Sequence, residues 1–170
     1  MRNIFIIYDE VKFTGQKLGK GSAGEVELGE YEGKKVAVKR FVNDNLNEII
    51  EKLRKHKNLR SENIIEFYGV IRSPNDKMYL VTKFAKKGTL HDYFEKNEPG
   101  WSIKAKIAID IANGLLECHK YNIVYLDLKS ENILVDILVN KHLVLKISDF
   151  SLSITKAELD LGKKAGGAKK

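Results

Sequence analysis

The first eighty residues alternate hydrophobic and polar positions with the two-residue period of half-buried β-strands. The clearest alternation is E-V-E-L at residues 25–28, and glycines on both sides of it predict an antiparallel hairpin with a turn at residues 32–34. One helix is predicted over residues 45–57, because four aliphatic residues recur there on one stripe. The pattern predicts strands over residues 13–20, 25–28, 35–41, 64–71 and 78–82.

After Gly88 the hydrophobic spacing becomes helical. A short helix is predicted over residues 89–97, followed by a longer one that starts at an N-cap Ser102 and runs to about Tyr121. Two short strands are predicted near residues 133–135 and 143–147, whereas residues 158–170 have no usable periodicity. A β-rich part therefore precedes a helical part, and joints of this kind commonly hold small-molecule sites.

Composition narrows the class of protein. The chain has 170 residues, enough for one domain with a real core, and a net charge of +7. Four of these charges lie among the last ten residues, which leaves +3 for residues 1–160, too little to predict a nucleic-acid partner. The single cysteine, Cys118, excludes an internal disulfide. No stretch has the length of a secretory or membrane-spanning segment, so we expect a cytoplasmic protein with no membrane partner.

Two motifs in the β-rich part have chemistry that suits a phosphate-bearing ligand. The sequence G-K-G-S-A-G-E-V at residues 19–26 has the form G-x-G-x-x-G-x-V. Such glycines also occur in dinucleotide-binding proteins, but there they open a helix, whereas a strand follows them here. The sequence V-A-V-K at residues 36–39 places Ala37 and Lys39 on one face of a strand, with room for a flat ring beside a cation.

A third motif lies in the helical part. It consists of D-L-K-S-E-N at residues 127–132, followed by D-F at residues 149–150. Two carboxylates, a lysine and an amide are the groups that phosphoryl transfer from ATP requires near the accepting hydroxyl and around Mg²⁺. With the two upstream motifs in this order, the chain resembles a protein kinase over about residues 8–155.

The resemblance implies an α+β fold. It implies an antiparallel β-rich small lobe with one helix over residues 8–82, a hinge over 83–88 and the start of a helical large lobe over 89–155. Residues 156–170 would be a truncated activation segment and basic tail. The long helix would then lack its usual cover, so we expect a partner chain or self-association on its apolar face.

The resemblance also implies roles for individual residues. Asp127 would orient the accepting hydroxyl, and Lys129 would neutralise the γ-phosphate. Asn132 and Asp149 would hold Mg²⁺, and Lys39 would bind the α- and β-phosphates of ATP. Lys39 would pair with a helical glutamate. The local sequence favours Glu48, which is the residue we expect, and the spacing to the next strand leaves Glu51 as the alternative. The remaining nucleotide-binding residues would be Leu18, Gly19, Gly21, Gly24, Val26, Ala37, Thr82, Lys83, Ala85 and Leu134.

Lys129 makes the loop similar to that of serine/threonine kinases of the tyrosine-kinase-like group, so the implied substrate is a serine or threonine of a protein. Three departures oppose this activity. Tyr125 and Leu126 stand where the family has His-Arg, Ser151 replaces a glycine, and the rest of the activation segment is missing. The alternative hypothesis is a truncated pseudokinase that binds a nucleotide or a partner without catalysis.

Overall fold

The computed structural model describes residues 4–21, 24–41, 50–51, 53–54, 56–137 and 142–162. These residues belong to two compact units. The first unit comprises Met1–Glu48 and Glu66–Ala85, and the second comprises Ile49–Ile65 and Lys86–Lys170.

A six-stranded sheet forms the first unit. The strands are β1 Phe5–Ile6, β2 Val11–Gly21, β3 Gly24–Tyr31, β4 Lys34–Arg40, β5 Phe67–Arg72 and β6 Met78–Lys83. Their order in the sheet is β1-β5-β6-β4-β3-β2, and all neighbours are antiparallel except β1 and β5. The predicted antiparallel β-rich small lobe is therefore confirmed.

Side-chain alternation gives this sheet one apolar core face. Val36 and Val38 of β4 are almost fully buried, and they pack with Val81 of β6 and Ile71 of β5. Complete burial of such a side chain contributes about 1.5–3 kcal/mol. Because successive side chains of a strand point to opposite faces, Ala37 lies on the other face of β4.

Strand β1 was not predicted. Its two residues pair in parallel with Val70 and Ile71 of β5. A Cβ atom at Gly69 would lie 2.6 Å from Ile6 Cγ1 and 2.7 Å from the Ile4 carbonyl oxygen, so a glycine is required for this close approach. A two-residue strand is too short to have a detectable period.

The second unit contains helices and two small antiparallel strand pairs, one between Ile123–Val124 (β7) and Ile154–Thr155 (β10) and one between Ile133–Ile137 (β8) and Leu143–Ile147 (β9). Its helical segments include residues 50, 51, 53, 54 and 56, which lie in the predicted helix over 45–57. The other α-helices are Leu90–Lys96, Trp101–Lys120 and Lys156–Asp160.

Two predicted boundaries need correction, and one helix was not predicted. The long helix begins at Trp101 with Gly100 as its N-cap, so Ser102 lies inside its first turn. The predicted strand over residues 64–71 begins only at Phe67, because Ile65 donates its N–H to the Ile147 carbonyl (2.9 Å). The helix Lys156–Asp160 was not predicted, although a capping box of Thr155 and Glu158 marks its start.

The long helix packs against β9 through Gly114. A Cβ atom there would lie 2.7 Å from the Asn63 carbonyl oxygen and 2.8 Å from Ile147 Cδ1. The other side of the helix is exposed at Trp101 (85%) and Leu116 (54%). Among the described helices, none combines the length and hydropathy that crossing a membrane requires.

Candidate active site

One face of the sheet brings together four of the residues proposed to bind a nucleotide. Val26 of β3 is opposite Lys39 of β4, and Ala37 of β4 is opposite Thr82 of β6. Residues directly opposite one another on neighbouring strands project to the same face. Because Ala37 and Lys39 also share a face, a small side chain, an ammonium group and two flanking side chains lie side by side.

The glycine motif forms a hairpin at the edge of this sheet. Gly19 is opposite Val26, and Gly21 is opposite Gly24. Gly24 has φ 138°, a conformation that side-chain-bearing residues rarely adopt. Leu18 lies at a register shift in β2 and is 37% exposed. A strand, not a helix, follows the glycines, which opposes a dinucleotide-binding fold.

Lys83 and Ala85, two of the residues predicted to bind the nucleotide, lie at the end of β6 and just after it. The Lys83 N–H donates to the Glu66 carbonyl at 2.9 Å, so this N–H is used within the sheet. A ring contact at Lys83 would therefore have to come from another group of the residue. Ala85 is buried. In the second unit, Leu134 of β8 is half-buried and pairs with Lys146 of β9.

The glutamate partner of Lys39 stays a prediction. Glu48 lies outside the described residues. Glu51 is 63% exposed at its side chain, and its Oε1 lies 2.7 Å from Arg54 Nη1 one helical turn later.

The D-L-K-S-E-N loop brings three predicted site residues into direct contact. Asn132 Nδ2 donates to Asp127 Oδ2 at 2.7 Å and to the Asp127 carbonyl at 2.9 Å. Lys129 Nζ lies 2.8 Å from the same Oδ2. The pKa of Lys129 is raised, mainly by its hydrogen bond to Asp127, so the lysine is a cation at neutral pH. An amide and an ammonium group thus fix the orientation of the Asp127 carboxylate.

Asp149 follows β9 in a left-handed conformation, with φ 52° and ψ 73°. Aspartate adopts this region more readily than most side-chain-bearing residues. Its carboxylate accepts from the Ser151 N–H at 3.4 Å. Ser151 is a described residue and does not have positive φ. A serine in place of the family's glycine therefore causes no backbone strain in this conformation.

Ser148 connects the Asp149 segment to the loop. Its N–H and its Oγ both donate to the Asn132 carbonyl, at 2.9 Å and 2.8 Å. The Tyr125 hydroxyl donates to the Ser148 carbonyl at 2.5 Å. The sequence showed Tyr125 only as a departure from the family's histidine, and it gave no signal for Ser148.

Three aromatic rings pack beneath this network. Phe150 is stacked on His56 with ring centroids 4.1 Å apart, and it meets Tyr125 edge-on at 5.3 Å. His56 Nε2 lies 3.0 Å from the Ile65 carbonyl, which can only accept, so this nitrogen carries the hydrogen. Burial lowers the pKa of His56 to about 4 and keeps the ring neutral. Sequence analysis did not detect this role of His56.

The donor set in this unit fits a hard divalent cation. Asn132 and Asp149 offer an amide and a carboxylate oxygen, the ligand types that Mg²⁺ prefers. Within the part of the chain that the structure describes, no group of three or more His, Cys, Asp or Glu residues could hold a metal. Two protein oxygens suit Mg²⁺ in particular, because it usually keeps water and binds substrate phosphates.

A family model described as the protein kinase domain matches residues 13–161. The chain is 36% identical over 169 residues to the probable serine/threonine-protein kinase SIS8 of Arabidopsis thaliana, covering 94% of this chain and 16% of the relative. It is 36% identical to the probable serine/threonine-protein kinase drkA of Dictyostelium discoideum, covering 82% and 22%. For the serine/threonine-protein kinase STY17 of Arabidopsis thaliana, the identity is 31% and the coverages are 84% and 25%. The chain thus spans a quarter or less of these relatives, and it belongs to the protein kinase family.

Proposed function

We propose that this chain is part of a Mg²⁺-dependent kinase that transfers the γ-phosphate of ATP to a serine or threonine of a protein substrate. The contact of Asp127 with Asn132 and Lys129, beside the segment that bears Asp149, is the observation that carries this proposal. It unites a candidate base, a phosphate-binding cation and two metal-binding oxygens in one unit.

Asp127 acts on the accepting hydroxyl in this proposal. The donors from Asn132 and Lys129 both contact Oδ2, so Oδ1 is the oxygen assigned to the hydroxyl. A carboxylate held by two donors needs no reorientation when the substrate binds, which lowers the entropic cost of the reactive geometry. Asp127 then accepts the proton as the hydroxyl oxygen bonds to the γ-phosphorus, and the bond from that phosphorus to the β–γ bridging oxygen breaks, so that ADP leaves.

The charges of the triphosphate are distributed over several residues. Lys129 neutralises charge on the transferred phosphoryl group, and Lys39 binds the α- and β-phosphates. Asn132 and Asp149 hold Mg²⁺, which supplies charge neutralisation and alignment of the phosphates. The backbone of the glycine hairpin provides further N–H donors.

The adenine ring lies, in this proposal, against the apolar part of the sheet face that carries Lys39. Val26 and Leu18 cover one side of the ring, Ala37 leaves room for it, and Leu134 is proposed as a further contact. Thr82 borders the ring. The alignment of Val26, Ala37, Lys39 and Thr82 on one face supports this arrangement.

The exposed apolar side of the long helix is proposed to contact a partner chain or a second copy. Trp101, Ile109 and Leu116 are 85%, 59% and 54% exposed. Exposed groups of large apolar side chains commonly mark interaction sites. Light scattering of the chain and of its Leu116→Asp variant tests self-association. If the chain self-associates through this helix, the measured mass should depend on concentration only for the unsubstituted chain.

Phosphate incorporation tests the activity. The chain is incubated with γ-labelled ATP, Mg²⁺ and a general protein substrate, and the labelled amino acid is identified. The kinase is supported if serine or threonine carries the label, if Asp127→Asn abolishes this labelling and if the exposed control Asp160→Asn retains it. ATP binding without incorporation supports the pseudokinase alternative. Loss of incorporation in both variants alike would contradict the assignment of Asp127.

A further inference from the structure

We propose that the Ser148 hydroxyl is a positioning group for the metal-binding oxygens of Asn132 and Asp149, and that Tyr125 fixes Ser148 in turn. This inference rests on the proposed function, because it concerns the same cation. It adds two residues, neither of which is a proposed metal ligand or contacts the phosphates.

The first observation is a double hydrogen bond to one carbonyl. The Ser148 N–H extends the β8–β9 ladder by one bond to the Asn132 carbonyl (2.9 Å), and the Ser148 Oγ donates to the same oxygen at 2.8 Å. A carbonyl oxygen has two lone pairs, so both donors can be satisfied together. The hydroxyl therefore fixes the end of the ladder where Asn132 lies.

The second observation concerns the peptide group that leads into Asp149. The carbonyl of Ser148 belongs to this peptide group, and the Tyr125 hydroxyl donates to it at 2.5 Å. With the plane of the peptide fixed, the φ angle of 52° at Asp149 sets the direction of its side chain. Tyr125 is only 8% exposed and packs edge-on against Phe150, so its hydroxyl has little freedom to leave.

The third observation is the continuity of the network. Asn132 is fixed at its carbonyl by Ser148 and at its amide by Asp127. Both amide hydrogen bonds go to Asp127, which leaves Oδ1 as the oxygen of Asn132 that can bind a cation. Partners that orient metal ligands in this way commonly affect metal affinity strongly when they are removed.

The test measures the Mg²⁺ requirement of nucleotide binding. Thermal unfolding of the chain is followed with ADP at increasing Mg²⁺, for the unsubstituted chain and for Ser148→Ala, Ser148→Thr and Tyr125→Phe. Loss of one hydrogen bond should raise the half-saturating Mg²⁺ concentration about three- to tenfold in Ser148→Ala and Tyr125→Phe. Ser148→Thr retains a hydroxyl and should restore the original value.

A matched control separates positioning from stability. Ser153 is buried, and its Oγ donates to the Phe150 carbonyl at 2.6 Å, but this bond does not reach Asn132. Ser153→Ala should lower the unfolding temperature without changing the Mg²⁺ requirement. If Ser148→Ala fails to fold, Tyr125→Phe decides, because it keeps the ring against Phe150.

The outcomes distinguish this inference from the proposed function. No Mg²⁺-dependent shift in the unsubstituted chain overturns both. A shift in the unsubstituted chain with the same Mg²⁺ requirement in Ser148→Ala and Tyr125→Phe overturns the positioning role alone. An equal rise in Ser153→Ala also overturns it, since a general loss of stability would then explain the effect.

Discussion

Replacing His56 by phenylalanine tests the buried aromatic packing beneath the candidate site. His56 is 3% exposed, stacks on Phe150 and donates to the Ile65 carbonyl. Burial lowers its pKa from 6.5 to about 4, with the hydrogen bond to Ile65 and the charge of Asp149 opposing the shift. His56→Phe keeps an aromatic ring at the position but removes the group that titrates.

The magnitude follows from the two pKa values. The folded pKa of His56 is lowered, so the unfolded chain takes up a proton on this residue before the folded chain does. Stability is therefore lost as the pH falls from about 6.5 towards about 4, with a total loss of about 3 kcal/mol. At about pH 5 the loss amounts to about 2 kcal/mol, and at about pH 7.5 it is close to zero.

Urea unfolding at about pH 7.5 and about pH 5 measures this difference. Circular dichroism is the better probe, because the single tryptophan, Trp101, is 85% exposed and reports poorly on burial. The unsubstituted chain should lose about 2 kcal/mol more than His56→Phe between the two pH values. The exposed control His119→Phe should lose as much as the unsubstituted chain. Equal losses in His56→Phe and the unsubstituted chain would refute the buried neutral imidazole.

Two further substitutions test the fold through the free energy of unfolding. Gly114→Ala should destabilise the fold by about 1–3 kcal/mol, because the clash with the Asn63 carbonyl outweighs a gain in helix propensity of about 1 kcal/mol. The exposed control Asn113→Ala should not lower the free energy of unfolding. Stabilisation by Gly114→Ala would contradict the close packing. Thr89→Ala should lower the free energy of unfolding by about 1 kcal/mol, because it removes a capping box, whereas Ser102→Ala should leave it unchanged. Equal effects of the two substitutions would contradict the observed helix starts.

Local patterns predicted the parts of the fold that depend on neighbouring residues. Val36 and Val38 are buried while Ala37 lies on the other face, as a two-residue period requires. The roles of Asp127 and Asn132 came from the resemblance to kinases, and their direct contact was not predicted. For the strand, the chain itself restricts the geometry, so spacing in the sequence contains the information.

Contacts between distant segments were not predictable in this way. Tyr125 reaches the carbonyl of Ser148, and His56 stacks on Phe150, which is far away in the sequence. Tertiary packing determines these pairs, and no periodicity links their members. The start of the long helix was wrong for a different reason, because Gly100 is an acceptable N-cap and competed with the more typical Ser102.

The central claim is that binding of Mg-ATP depends on both Lys39 and Asp149, and thermal unfolding with and without Mg-ATP tests it most directly. At about a hundred times Kd, the ligand should add about 2.7 kcal/mol, which corresponds to about 5–11 °C for a chain of this length. The account predicts that Lys39→Ala and Asp149→Ala each abolish this shift, whereas Lys35→Ala, an exposed lysine on the same strand, retains it. An undiminished shift in Lys39→Ala and Asp149→Ala would contradict the account.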